Sequence, residues 1–317
     1  MRSGTSRVSE RIATAPRRTW DAGGIAPAGL AQLAGSIVLL GGAWPITKYA
    51  VNTGATPLWF AEGRAVLSCL AAAVLLGVMR RLRVPGRADL PALLSVGLLQ
   101  LAAFFALVHA AVAWVPAGRT AILCNVTSVF VAPLSLLVLR EPISRRRWAA
   151  TSLGLAGVVV LMGPWAIDWS RANVLVGHAF LLGAAAGWAV TIIVVRRFPP
   201  RASMLELLPW CFGLASLVLL PLVLLEGGGV GRWSPGGVAA LAFIGLLAGP
   251  VGTWCVMQAA VSLPALVASV GFLGTPVTGL LLASAWLGEP MTADLLFGSA
   301  LVLGGVFCAA WPGRVRA

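Results

Sequence analysis

Few residues able to do chemistry stand inside the long apolar runs of this chain. Glu62 and Arg64 are the only opposed charges close together within one run. An i, i+2 pair does not share a helix face, so the two are expected to meet different partners. Arg64 reads as a clamp between helices or as a substrate contact. Glu62 reads as a titrating coupling site or as an outward vestibule carboxylate. Lys48 follows Trp44 by one turn, so both lie on one helix face. Pro45 between them frees the carbonyl of Gly41 and allows a bend. A cation, an aromatic plate and an unpaired carbonyl suit the carboxylate, ring and ammonium of an amino acid. The alternative for Lys48 is snorkelling to the interface.

Gln100, Phe104, Asn125, Trp254 and Gln258 add polar or aromatic positions, and each serves equally well as helix-packing glue. Trp44 and Trp188 sit near the middle of their runs. Trp59, Trp114, Trp148, Trp165, Trp233, Trp286 and Trp311 fall near run ends, where an interfacial belt explains them. The two mid-run tryptophans are therefore expected to line an aromatic substrate cavity. The two histidines, His109 and His178, are in separate runs without metal-ligand spacing. Either reads as a satisfied polar residue or, for His109 above all, as a substrate contact.

No phosphate-binding G-x-x-x-x-G-K-[ST], H-E-x-x-H or G-x-S-x-G occurs. The five cysteines are scattered singly, with no C-x-x-C, which supports neither zinc nor disulfides. No metal, cofactor or enzyme activity is expected. The net charge of +13 raises nucleic acid as a partner. The arginines, however, cluster between apolar runs and do not form the stripe that phosphate binding requires.

Apolar residues make up 59% of the 317 residues and charged ones 10%, against about 25% charged in soluble domains. Crossing a bilayer takes about 20 helical residues, and runs near that length appear at 29–51, 57–79, 90–114, 118–139, 148–166, 174–195, 203–225, 235–259, 264–287 and 293–311. With ten spans and an inside amino terminus, 18 of 23 Lys and Arg fall on the cytoplasmic side, as the positive-inside rule requires. The expectation is one all-α integral membrane fold with both termini cytoplasmic, its partners the lipid bilayer and a small-molecule substrate. Residues 1–28 form a basic cytoplasmic arm, not a cleaved signal peptide. Oligomeric state is open, and a monomer is compatible.

Two echoes divide the chain. Leu139-x-Glu141-Pro142 recurs 148 residues later as Leu287-x-Glu289-Pro290, and Pro116-Ala117 as Pro264-Ala265. Gly35-x-x-x-Leu39-Leu40-Gly41 recurs as Gly177-x-x-x-Leu181-Leu182-Gly183. Two echoes in the same order indicate duplication, with repeats at 29–166 and 174–311. Five spans per copy force the second to enter from the opposite side, giving inverted repeats.

The Leu-x-Glu-Pro endings, Thr275-Pro276-Val277 and Pro57 followed by Arg64 resemble the EamA type of the drug/metabolite transporter superfamily, over all ten spans. The resemblance implies a ten-helix secondary transporter of the inner membrane, with bacterial amino-acid exporters, aromatic ones included, as the nearest functional type. It favours the clamp reading of Arg64. One departure is Ser128, standing where Pro276 stands in the second copy, which leaves the bend of the fourth span open. The alternatives are an exporter of cationic drugs built on Glu62, and a membrane enzyme, which would need clustered acids, histidines or cysteines.

Overall fold

The computed structural model describes residues 27–140, 145–162, 172–227, 229–263, 267 and 271–310. Most of the basic arm, Glu141, Pro142, Pro264 and Ala265 lie outside these. The helices are α1 (Pro27–Asn52), α2 (Pro57–Val78), α3 (Arg87–Val112), α4 (Ala117–Leu139), α5 (Arg145–Met162), α6 (Ala172–Arg197), α7 (Met204–Glu226), α8 (Pro235–Val256), α9 (Gly274–Leu287) and α10 (Ala293–Ala310). Among the described residues no strand forms, and Ala55 and Gly231 make an isolated bridge. Among the described residues seven helices are long and apolar enough to cross a membrane. The other three, α5, α9 and α10, carry shorter apolar stretches.

Local chemistry sets the helix ends. Ser203 and Glu206 form a capping box at the start of α7, satisfying amides that have no partner within the helix. Ser234 accepts from Gly237 N at the start of α8, where Pro235 loses no hydrogen bond. Midway along α4 the helix stops at Cys124 and resumes at Thr127. Asn125 N donates to Ile122 O, three residues back. The Asn125 side chain donates to Ala121 O at 2.7 Å, taking the carbonyl that the tightened turn abandons. The break in α4 thus falls at Asn125, three residues before Ser128, and Pro133 lies inside the segment that follows.

The 148-residue offset is visible in the backbone. A π-helical segment covers Ser95–Ala103 in α3 and another covers Phe243–Gly252 in α8, and their first residues differ by 148. Arg140 (φ 54°) and Gly288 (φ 68°) are both left-handed caps, and their amides return to Ser135 O and Ala283 O. The middle residue of each Leu-x-Glu-Pro is therefore a helix stop.

Corresponding helices pack against each other. Gly157 of α5 faces the Gly298 carbonyl of α10, while Gly305 faces the Ala150 carbonyl, so the pair is antiparallel. Missing Cβ atoms allow this backbone approach, the usual means of helix packing in lipid. Helices α2 and α7 also run antiparallel: Glu62 meets Ser216 and Cys69 Sγ meets Pro209 O. Asp89 accepts from Arg201 N and Ala202 N, and Arg81 lies 3.8 Å from Glu206. The arginine clusters after α2 and after α6 consequently share one end of the bundle.

Candidate functional site

Three of the expected aromatic residues converge. Phe104 on α3 meets Trp188 of α6 edge to face, with centroids 4.9 Å apart and planes at 72°. On its other side Phe104 meets Trp44 of α1 at 6.4 Å and 64°. These are favoured geometries for rings with negative faces and positive edges. The Trp44 indole N–H is buried and has no hydrogen-bond partner. Gly279 of α9 makes room for that indole: a Cβ there would stand 3.0 Å from Trp44 Cδ1 and 2.9 Å from the Ala121 Cβ. Asn125 sits one turn beyond Ala121, at the break in α4. Gln100 lies one turn before Phe104 on the same face of α3, half-buried. The rings touch one another, so the centre is closed by its own aromatic edges.

Phe105 turns to a second layer. The Arg64 guanidinium lies 4.1 Å from the Phe105 centroid, with its Nε buried and unpartnered. Phe105 also contacts His109 and stacks on Phe212. His109 is 1% exposed, its Nδ1 paired with Phe105 O and its ring against Phe60. His178 repeats that pattern with Val174 O. The second layer is a cation–π and histidine packing unit beside the centre.

Lys48 shares its face of α1 with Trp44, and its ammonium is engaged. It donates to the carbonyls of Val112, Ala113 and Val115 at the end of α3, where a helix presents partial negative charge. Immediately after, Glu289 accepts from Ala117 N and Gly118 N at the start of α4, at 2.6 and 2.9 Å. Arg119 pairs with Asp294 at 2.6 Å. The α3–α4 corner is therefore held by charges from α1, the end of α9 and α10. The sequence showed Glu289 only as a helix-ending carboxylate; its partner lies 172 residues away, beyond any local pattern.

Glu62 is 5% exposed and accepts the Ser216 hydroxyl through Oε1 at 2.6 Å. It faces away from Arg64, as the i, i+2 spacing requires. Trp254 and Gln258 are half-buried on the α-helical stretch Thr253–Ser262 that follows the π segment of α8 and continues beyond Val256. Neighbouring Cys255 and Ser262 contact Gly35 and Gln32 of α1. Gly252 abuts Leu39 and Leu40, so Trp254 and Gln258 follow along α1 toward its start, away from Trp44.

The model of the EamA-like transporter family matches residues 27–163 and again 175–311. The chain belongs to the EamA-like transporter family. Trp44 falls in the first matched segment and Trp188 in the second, each on the first helix described there. Relatives include the uncharacterized transporter YdfC of Bacillus subtilis (strain 168), 24% identical over 80% of this chain and 81% of that one. A probable terminal-alkyne amino-acid exporter of Streptantibioticus cattleyicolor is 26% identical over 77% of this chain and 80% of its own length. A probable amino-acid metabolite efflux pump of Salmonella typhimurium (strain LT2) is 28% identical over 73% and 80%. A crystal structure at 21% identity, covering 89% of this chain and 96% of that one with a TM-score of 0.61, shares the fold. The protein is a multi-pass membrane transporter, not an enzyme.

Proposed function

We propose that this transporter exports amino acids, aromatic ones among them, or related small metabolites across the inner membrane by alternating access. In this reading ten spans form two inverted five-helix repeats, and both termini are cytoplasmic. The antiparallel packing of α5 on α10 and α2 on α7, with the π segments 148 residues apart, supports the inversion. The single observation carrying the substrate reading is the Trp44–Phe104–Trp188 cluster across the two repeats, with an unsatisfied indole N–H inside it. Leaving a buried donor unpaired costs about 1–3 kcal/mol, and a substrate carboxylate would supply the missing acceptor. The ring faces hold an ammonium by cation–π attraction, and Asn125 Oδ1 offers an acceptor beside it. A substrate ring would replace the edge-to-face contacts that Phe104 makes in the closed centre. The binding set is Trp44, Phe104, Trp188, Asn125 and Gln100. Lys48 and His109 act beside it through the α3–α4 corner and the Phe105 layer, and Trp254 and Gln258 stand apart from it. Relatives named as amino-acid exporters and metabolite efflux pumps support the same class.

Uptake of labelled phenylalanine, tryptophan and alanine into protein-loaded liposomes, against empty liposomes, tests the reading. Saturable uptake of the aromatic amino acids is expected. No amino-acid uptake, with accumulation of an organic cation by the same liposomes, would reverse it in favour of cation export.

A further inference from the structure

We propose that Thr191 is a positioning residue for the aromatic centre: its hydroxyl anchors the π-helical segment of α3, and that segment sets which phenylalanine faces the substrate. This rests on the reading of the centre as the substrate site. Thr191 is on α6 and is 1% exposed. Its hydroxyl donates across to the carbonyl of Ser95, the first residue of the π segment Ser95–Ala103, at 3.0 Å. The same proton is shared with Gly187 O, one turn back in α6, at 3.2 Å, the acceptor a threonine within a helix ordinarily takes. The shorter bond is the one that leaves the helix. Gly187 itself lies against the middle of the segment, where its Cβ would stand 3.7 Å from Leu99 O.

A π turn closes five residues back, is rare, and concentrates at functional sites. Such backbone persists where its surroundings hold it. Relative to an α-helix the segment carries an extra residue, so everything after it is turned by one position, roughly 100°. Phe104 is the first residue after it. In this phase Phe104 meets Trp44 and Trp188, while Phe105 meets Arg64, His109 and Phe212. An α-helical path from Ser95 would carry Ala103 into the place of Phe104 and turn Phe104 toward the Arg64 layer. Thr191 follows Trp188 by one turn on the same face of α6. One stretch of helix thus presents a ring and holds the backbone that aims Phe104 at it. The π segment of α8 is held in the same way: Ser68 of α2, fully buried, donates to Gly245 O at 2.9 Å. In both cases the hydroxyl comes from the other matched repeat.

The test compares the whole protein with Thr191→Val, which keeps the shape and loses the hydroxyl, and Thr191→Ser, which keeps the hydroxyl. Thr191→Ala replaces the valine variant should its folded yield fall. Three quantities are read: amide hydrogen exchange over residues 95–103, the fluorine resonance of Trp44 in protein labelled with 5-fluorotryptophan, and uptake of phenylalanine against alanine in liposomes. The Trp44 resonance is assigned by its loss in Trp44→Leu, and it reports on Phe104 from α1, away from the substituted helix. Thr191→Val is expected to speed exchange, move the resonance and lower the phenylalanine-to-alanine ratio about 3-fold, with Thr191→Ser restoring all three. Exchange at the parent rate without the hydroxyl would overturn the proposal. So would faster exchange with the Trp44 resonance unmoved, equal loss of both uptakes, or changes in Thr191→Ser as large as in Thr191→Val. If the parent takes up no amino acid, the amino-acid reading fails, and exchange and resonance still decide whether Thr191 aims Phe104.

Discussion

Trp44 and Trp188 approach the same ring from two sides: the Phe104 centroid is 6.4 Å from the first and 4.9 Å from the second. One tryptophan belongs to the first matched repeat and the other to the second. Any rocking of one repeat against the other must break or slide at least one of these edge contacts. A substrate able to bridge the parted rings would hold them at a defined separation. That links the chemistry of the site to the motion expected of repeat-built transporters.

Arg64 should behave as a packing cation. Its guanidinium covers Phe105, a contact worth about 0.5–2 kcal/mol depending on desolvation. Arg64→Ala is expected to lower the melting temperature in detergent and the folded yield, while the ratio of aromatic to aliphatic transport stays at the parent value. Unchanged stability with lost binding would make Arg64 a substrate ligand.

The two left-handed caps predict opposite responses to glycine. Arg140 holds φ 54° with a side chain and Gly288 holds φ 68° without one. A non-glycine residue in this region costs about 1–2 kcal/mol. Arg140→Gly should therefore raise thermal stability and Gly288→Ala should lower it, each by about 1 kcal/mol. Equal and same-signed shifts would show that the caps do not set these helix ends.

Much of this was legible in advance and some was not. Periodic apolar runs, arginine clusters and the 148-residue echo marked the repeats, because each is a pattern along the chain. Trp44 and Trp188 were legible as candidates because mid-run tryptophans lack an interfacial explanation, whereas Phe104 was one of several aromatic or polar positions with nothing to separate it from packing. The break in α4 was not, since there one Asn125 side chain reaches one carbonyl three residues before Ser128. The partners of Lys48, Glu62 and Glu289 lie 64 to 172 residues away, and only folding brings them together. Lys48 read either as a carboxylate ligand or as a snorkelling cation, because its helix face was legible and its acceptors were not.

The charged corner between α3 and α4 should be structural. Lys48→Met removes the cation from three carbonyls, and Glu289→Leu strips the acceptor from two amides. Each is expected to cost about 1–3 kcal/mol, read as a lower melting temperature, with the order of substrate preference unchanged. Lost transport of every substrate at parent stability would instead place these charges in the transport step.

Orientation follows from the shared end of the arginine clusters. Val84→Cys lies beside Arg83, and Thr292→Cys follows the Glu289-Pro290 turn at the opposite end of the bundle. In intact cells an impermeant thiol reagent should label Thr292→Cys and spare Val84→Cys, read against the parent with its own cysteines. Labelling of both to the same extent would contradict the proposed topology.

The most direct measurement is the substrate ratio of the aromatic-site variants. Trp44→Leu and Trp188→Leu keep apolar bulk and remove the ring face, and each is compared with the parent in liposomes at matched protein content. The account predicts that uptake of phenylalanine and tryptophan falls several-fold more than uptake of alanine, as expected when a ring contact of about 0.5–1.5 kcal/mol is lost, while folded yield holds. If aromatic and aliphatic uptake fall together and folded yield falls with them, the two tryptophans are packing groups and the aromatic centre is not the substrate site.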